Sequence, residues 1–210
     1  MKTQLLLGAS LVLALAACDN NPTKGKTQVT ASEAVVASAT PSSGAKYTFS
    51  NTDSKIEWVG AKVTKKHDGS FNTFNGTVNL VDNNPEKSSV TADIDIASVK
   101  TDEEKLTGHL QTPDLLDTSK FPKATFTSTS IKAGGEKGAT HTVTGNFGLH
   151  GVTKSISFPA TIKTSADAVD VDAEFGINRK DFGIVYPGKP DDLIKDDVLL
   201  KLKIHAKKAG

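Results

Sequence analysis

Cysteine is almost absent from this 210-residue sequence, in which Cys18 is the only thiol. A single cysteine excludes an intrachain disulfide, so the fold must depend on an apolar core. A charge excess of either sign is absent as well, because 25 basic and 24 acidic side chains leave a formal net charge of +1. Nucleic-acid binding needs a clustered excess of lysine and arginine, and we therefore expect no nucleic-acid partner.

Motifs of catalysis and metal binding are also missing. The sequence contains no Gly-x-Ser-x-Gly, no His-Glu-x-x-His and no glycine-rich phosphate loop. Its five histidines lack the close spacing of a ligand pair, and His109 and His150 are the first to examine for a metal. We predict a protein without enzymatic activity, catalytic residues or metal ion, and with no required cofactor.

The N-terminus carries an apolar segment that ends at the cysteine. Residues 5–15 follow Lys2 and are fewer than the roughly 20 residues that a membrane-spanning helix needs. The run Leu15-Ala16-Ala17-Cys18 resembles the lipobox of bacterial lipoproteins, in which the thiol takes a diacylglyceryl group. The resemblance implies that residues 1–17 are a removed signal peptide and that Cys18 is an acylated membrane anchor. The alternative is an ordinary secretory signal with a coincidental cysteine.

The expected location is the bacterial cell envelope, as a lipoprotein that faces the periplasm. Asp19-Asn20 resembles a retention signal that favours the inner over the outer membrane. Residues 18–45 are rich in small and polar side chains without an apolar period, which predicts a flexible linker with a span of roughly 30 Å. Residues 46–210 then form one domain.

Apolar residues in this domain recur with a period of two, which predicts strands with one dry and one wet face. In residues 169–177, for example, Val169, Val171 and Phe175 alternate with Asp170 and Asp172. The same pattern predicts about eight strands, an all-β fold and a closed antiparallel barrel, since closure removes exposed edges. A short helical insertion falls between residues 98 and 122, where Thr101 or Asp102 is predicted to cap a helix through Leu110.

Several ordered motifs resemble the YceI family of periplasmic polyisoprenoid-binding proteins along nearly all of residues 47–206. They are GSFNTFNGTV (69–78), IDIASVKT (94–101), HL (109–110), DLLD (114–117), KFPKATF (120–126), GNFGLHGVTK (145–154) and NRKDFG (178–183). Thr107-Gly108 stands where the family commonly has an Arg-Asp pair. The resemblance implies a lipocalin-like barrel that holds an isoprenoid or a similar amphiphile, and eight strands can enclose one small ligand.

An isoprenoid site needs an apolar tunnel, and the inward-facing parity supplies its candidate wall residues. The barrel-interior candidates are Ile56, Trp58, Phe74, Ile94, Phe126, Phe147, Ile156, Phe158, Phe175 and Leu202. Leu110, Leu115 and Leu116 are candidates for the mouth of the tunnel. For each interior residue, ordinary core packing is the competing interpretation, because parity does not distinguish a tunnel wall from a filled core.

Three hypotheses for the function remain open at this point. The first is a membrane-anchored lipoprotein that sequesters or carries a polyisoprenoid, an isoprenoid quinone or a similar amphiphilic lipid. The second is an accessory protein of a membrane quinone redox system, and the third is a structural or interaction module with a filled barrel. The first two require a cavity of several hundred Å³ (roughly 300 or more), whereas the third predicts a solid barrel and an exposed apolar patch. The sequence does not indicate an oligomeric state, and it is compatible with a dimer.

Overall fold

The computed structural model describes residues 20–36 and 44–210, so that the predicted signal peptide and Cys18 lie outside the described residues. The strands are β1 (Thr27–Gln28), β2 (Ser32–Glu33), β3 (Ala45–Ser50), β4 (Lys55–Ala61), β5 (Lys66–Phe71), β6 (Phe74–Val81), β7 (Asn84–Asp95), β8 (Val99–Thr101), β9 (Lys123–Ala133), β10 (His141–Leu149), β11 (Val152–Thr164), β12 (Ala168–Asn178), β13 (Gly188–Lys189), β14 (Asp192–Leu193) and β15 (Asp197–Lys208). The helices are α1 (Glu104–Leu110) and three short 3₁₀ helices at Ile96–Ser98, Glu136–Gly138 and Arg179–Phe182.

Eight antiparallel strands close into a barrel, which confirms the predicted fold class. Three of the eight are bent and consist of two segments each, namely β3–β4, β5–β6 and β7–β8. The other five are β9, β10, β11, β12 and β15. Strand β15 pairs with β12 on one side and with β3 and β4 on the other, and these pairings close the barrel.

The alternation of the sequence explains which side of each strand faces inward. In β12, Val169, Ala173 and Phe175 are buried, whereas Asp172 and Glu174 between them are exposed. Facing strands contribute buried side chains in the same way, so one apolar core runs through the barrel. The period of two is therefore expressed as one dry face and one wet face along each strand.

The two ends of the barrel differ, and we call them the packed end and the mouth end. The packed end carries the turns after β6, β9 and β11, and the hydroxyl of Tyr47 donates to the carbonyls of Ser165 and Ala166 there. The mouth end carries the β4–β5 turn, helix α1 and the loop of residues 183–196.

Helix α1 ends at Leu110 as predicted but begins differently. Its N-cap is Glu103, which makes no side-chain capping bond, instead of Thr101 or Asp102. The Thr101 hydroxyl accepts from the backbone N–H of Glu103, and the backbone N–H of Thr101 donates to the hydroxyl of Thr107. The cap prediction was wrong because the side chain of Thr101 is used to fix the turn before the helix.

Residues 20–36, which we call the strap, lie against the barrel, and the linker prediction for them was wrong. Strands β11 and β12 pair directly only along residues 161–164 and 169–172. Beyond that stretch β1 pairs in parallel with β12 and β2 pairs antiparallel with β11, so the strap fills the space between them. Val29 is buried in the core and Ala31 packs against it. Two inward side chains are too few to produce a visible apolar period in the sequence.

Candidate functional site

An apolar cavity of about 590 Å³ occupies the interior of the barrel. Nine of the ten predicted interior residues line it, namely Ile56, Trp58, Ile94, Phe126, Phe147, Ile156, Phe158, Phe175 and Leu202. Leu110, Leu115 and Leu116 line it as well. The structure thus brings these residues together around one space, and their contact with a lipid stays a prediction.

Phe74 is the predicted wall residue that does not line the cavity. It lies opposite Ile94 at the start of β6, next to the bend that separates β5 from β6, and only 3% of its surface is exposed. Its ring belongs to the buried apolar core. Parity correctly predicts that Phe74 points inward, but whether an inward ring borders a cavity depends on its neighbours in three dimensions.

Sequence reasoning missed part of the wall. Some of the missed residues are apolar and share the inward parity of the predicted set, so the same signal identifies them: Phe49, Phe71, Val78, Ile131, Val143 and Ile204. The missed polar residues come from the β4–β5 turn and the start of β5, from helix α1 with its N-cap residue, and from the segments that follow β12: Lys62, His67, Glu103, Lys105, His109, Arg179, Lys189 and Asp192.

The cavity is strongly asymmetric in polarity. The charged side chains of its wall and both histidines are at the mouth end, whereas the wall towards the packed end consists of residues such as Val78, Ile131 and Val171. Such a cavity can accept an apolar chain along its length and a polar group only at its mouth.

Glycines across the strands let aromatic rings lie flat against the barrel wall. Gly69 is the cross-strand partner of Trp58, and a Cβ atom on this glycine would overlap the indole ring. The cross-strand partner of Gly145 on β9 is Ser128, and a Cβ atom on this glycine would overlap the ring of Phe126. Because the rings occupy the space over the glycines, they extend less far into the barrel, and the centre stays open.

Comparison with known proteins identifies the family. The model of the YceI-like domain matches residues 47–206, which is the whole barrel apart from its terminal residues. The chain belongs to the YceI-like family. The strap precedes the matched region and is therefore an addition to the YceI-like barrel of this chain.

Curated relatives agree with this assignment. A UPF0312 protein of Pseudomonas putida (strain W619) is 34% identical over 136 residues, which cover 62% of this chain and 70% of the relative. Protein YceI of Escherichia coli O157:H7 is 36% identical over 122 residues, covering 55% of this chain and 62% of the relative.

Two solved structures share the fold of this YceI-like chain at low sequence identity. BcnA of Burkholderia cenocepacia has a TM-score of 0.65 at 22% identity, covering 74% of this chain and 97% of that one. A polyisoprenoid binding domain from Saccharophagus degradans has a TM-score of 0.62 at 18% identity, covering 80% and 100%.

Ion pairs hold the mouth of the YceI-like barrel together. Lys62 Nζ lies 2.6 Å from Asp192 Oδ2 and so links the β4–β5 turn to β14. The hydrogen bond and charge of Lys62 lower the pKa of the Asp192 carboxyl. His67 Nδ1 lies 2.9 Å from Asp102 Oδ1, and this hydrogen bond lowers the pKa of Asp102. Both carboxyl groups therefore keep their negative charge to a lower pH than an unpaired aspartate does.

Arg179 organises the loop of residues 183–196. The side chain of Arg179 is buried. It donates to the carbonyls of Ile184 at 2.6 Å and Lys195 at 3.2 Å and to Asp196 at 3.0 Å. Burial lowers the pKa of Arg179, and Asp196 opposes this effect. One guanidinium thus joins both ends of the loop that borders the mouth.

The histidines lie apart from one another. His109 is on the cavity wall, with Nε2 3.4 Å from Asp114, whereas His150 Nδ1 contacts the carbonyl of Phe182 at 3.2 Å. Within residues 20–36 and 44–210, no three histidine, cysteine or acidic side chains come together as a metal site requires. No helix of the same ranges is long and apolar enough to cross a membrane.

Proposed function

We propose that this protein is a membrane-anchored binding protein that holds a polyisoprenoid, an isoprenoid quinone or a similar amphiphilic lipid inside its barrel. One observation carries the proposal, namely the 590 Å³ apolar cavity whose polar wall residues are confined to one end. The role is binding, for sequestration or transport, and not catalysis. The polyisoprenoid binding domain of Saccharophagus degradans, which shares the fold, supports this ligand class.

The asymmetry of the cavity determines how the lipid is held. An isoprenoid chain has no hydrogen-bonding groups, so it gains roughly 25 cal/mol for each Å² that leaves water. Wall residues such as Ile131, Val143 and Phe158 offer it apolar contacts. Among these apolar residues a polar head group would lose its hydration without gaining hydrogen bonds. At the mouth, Lys105 and His109 offer polar contacts to it. The lipid therefore enters chain first and keeps its head group at the mouth.

The proposed location is the periplasmic face of a bacterial membrane, with the inner membrane favoured. It rests on the lipobox-like run that ends at Cys18 and on the two residues that follow. An acylated cysteine holds the barrel beside the bilayer in which its ligand resides. Capture or storage at one membrane then becomes the expected role, instead of free diffusion across the periplasm.

Mass spectrometry of the purified protein tests the ligand class. Residues 19–210, which lack the predicted signal peptide and Cys18, are exported behind a cleavable secretory signal peptide, purified in water and extracted with organic solvent. We expect an isoprenoid or related amphiphile at about one molecule per protein, since the cavity has room for a single lipid chain. An empty extract, together with no uptake of an added isoprenoid quinone, would show that the proposal is wrong.

A further inference from the structure

Exposed apolar side chains surround the mouth of the cavity. Val63, Val185 and Leu193 are 50%, 63% and 47% exposed. The backbone N–H of Val63 donates to the carbonyl of Leu193 at 3.0 Å, so these two residues lie side by side. Val185 stands between Ile184 and Tyr186, which both line the cavity. Single exposed apolar residues are ordinary, but three around one opening form a surface, which we call the apolar rim.

The chain enters the described structure at the same rim. The side-chain amide of Asn20 donates to the carbonyl of Val63 at 2.8 Å. Cys18 is two residues before Asn20, so their Cα atoms are at most about 7 Å apart even in a fully extended chain. A lipid on Cys18 would therefore leave the protein next to the apolar rim.

The charges near the rim are of both signs, and several of them are paired. Lys62 pairs with Asp192, and Lys65 Nζ is 3.7 Å from both Asp102 and Glu103. Such a surface has little net attraction for an anionic partner. It complements the interfacial region of a bilayer, because that region accepts apolar side chains between polar groups.

We propose that the mouth end docks on the bilayer, with Val63, Val185 and Leu193 inserted at the interface and the cavity open towards the lipid. The occupant is the membrane surface itself, and this inference relies on the proposed function only for the anchor at Cys18. Three apolar side chains bind a bilayer weakly, but a short tether keeps the bilayer at a high effective concentration. In this orientation a lipid passes between membrane and cavity without exposing its chain to water.

Labelling of tethered protein tests the orientation. Residues 19–210 with an N-terminal hexahistidine tag are bound to phosphatidylcholine vesicles through a nickel-chelating lipid, which tethers the chain at the position of Cys18. An environment-sensitive fluorophore is attached through Val185→Cys or Leu193→Cys, and in the control through Ala166→Cys at the packed end. We expect blue-shifted emission and loss of most of the intensity to a membrane-embedded quencher for positions 185 and 193, and neither for position 166.

A second experiment introduces negative charge at the apolar rim. With the label on Val63→Cys, the double variant Val185→Asp/Leu193→Asp should lose the blue shift, whereas Ala166→Asp should keep it. Equal quenching at all positions, no change at any of them, or docking that requires anionic lipid and disappears in high salt would each contradict the proposal. No ligand takes part in the labelling, so its failure is distinct from an empty barrel in the extraction experiment.

Discussion

At the scale of single residues, whether an inward side chain fills the core or borders the cavity depends on the residues beside it. The rings of Phe158 and Phe175 stack at 4.2 Å with an interplanar angle of 14°, and Phe126 lies 5.7 Å from Phe158. The rings thereby cover one another along the wall. Alternation in the sequence predicted that these three residues point inward, but the stacking of their rings along the wall arises only in the assembled barrel.

Ala92 offers a way to fill the cavity without adding charge. It lines the cavity on β7, opposite Phe126, whereas the adjacent Thr91 is exposed on the other face of the strand. We expect Ala92→Phe to reduce the bound lipid by roughly tenfold, which corresponds to a loss of about 1.4 kcal/mol of binding free energy. The new ring enters empty space, so the free energy of unfolding should fall by less than the roughly 1–3 kcal/mol typical of overpacking.

Two measurements check this prediction, namely lipid per protein in organic extracts and urea unfolding. Thr91→Phe is the matched control, since it places the same ring on the same strand but outside the barrel. Normal lipid content in a folded Ala92→Phe variant would show that the lipid does not occupy this part of the cavity.

At the scale of elements, long strands were predictable and short additions were not. Strands β10, β11, β12 and β15 each have several inward apolar residues, and their period is visible in the sequence. The strap has only two apolar side chains that pack in or against the core, Val29 and Ala31, and its composition is otherwise typical of linkers. Its position depends on the unpaired edges of β11 and β12, which exist only once the barrel has formed.

Val29→Asp should release the strap from the barrel. Val29 is 6% exposed, and a carboxylate there would lose its hydration without a partner. We expect faster amide hydrogen exchange at residues 27–33 and about 1–3 kcal/mol less stability, with the remaining barrel still folded. Hydrogen exchange read by mass spectrometry follows the change directly.

Thr30→Asp is the control for the strap, because Thr30 is the exposed neighbour of Val29. It should leave the exchange at residues 27–33 unchanged. If Val29→Asp left that exchange unchanged too, the strap would not be held by its buried side chain.

At the scale of the whole molecule, the barrel encloses a space that its own side chains do not fill. A ligand that binds only the native state stabilises it by about 2.7 kcal/mol when its free concentration is 100 times Kd. We expect the lipid-loaded protein to unfold at a higher temperature than the delipidated protein in scanning calorimetry, and Ala92→Phe to show a much smaller difference. Identical midpoints for loaded and delipidated protein would mean that the cavity does not hold the lipid in the native state.

The sequence by itself determined the strands, their inward faces, the closed barrel and the family. These properties follow from local periodicity and from motifs such as GNFGLHGVTK at residues 145–154, so no distant contact is needed to infer them. Tertiary structure decided that the barrel is hollow, that its polar groups gather at one end and that Arg179 is buried there. These properties depend on the side-chain volumes of all the strands relative to the barrel diameter and on which loops meet at its end, and neither is visible in any single segment.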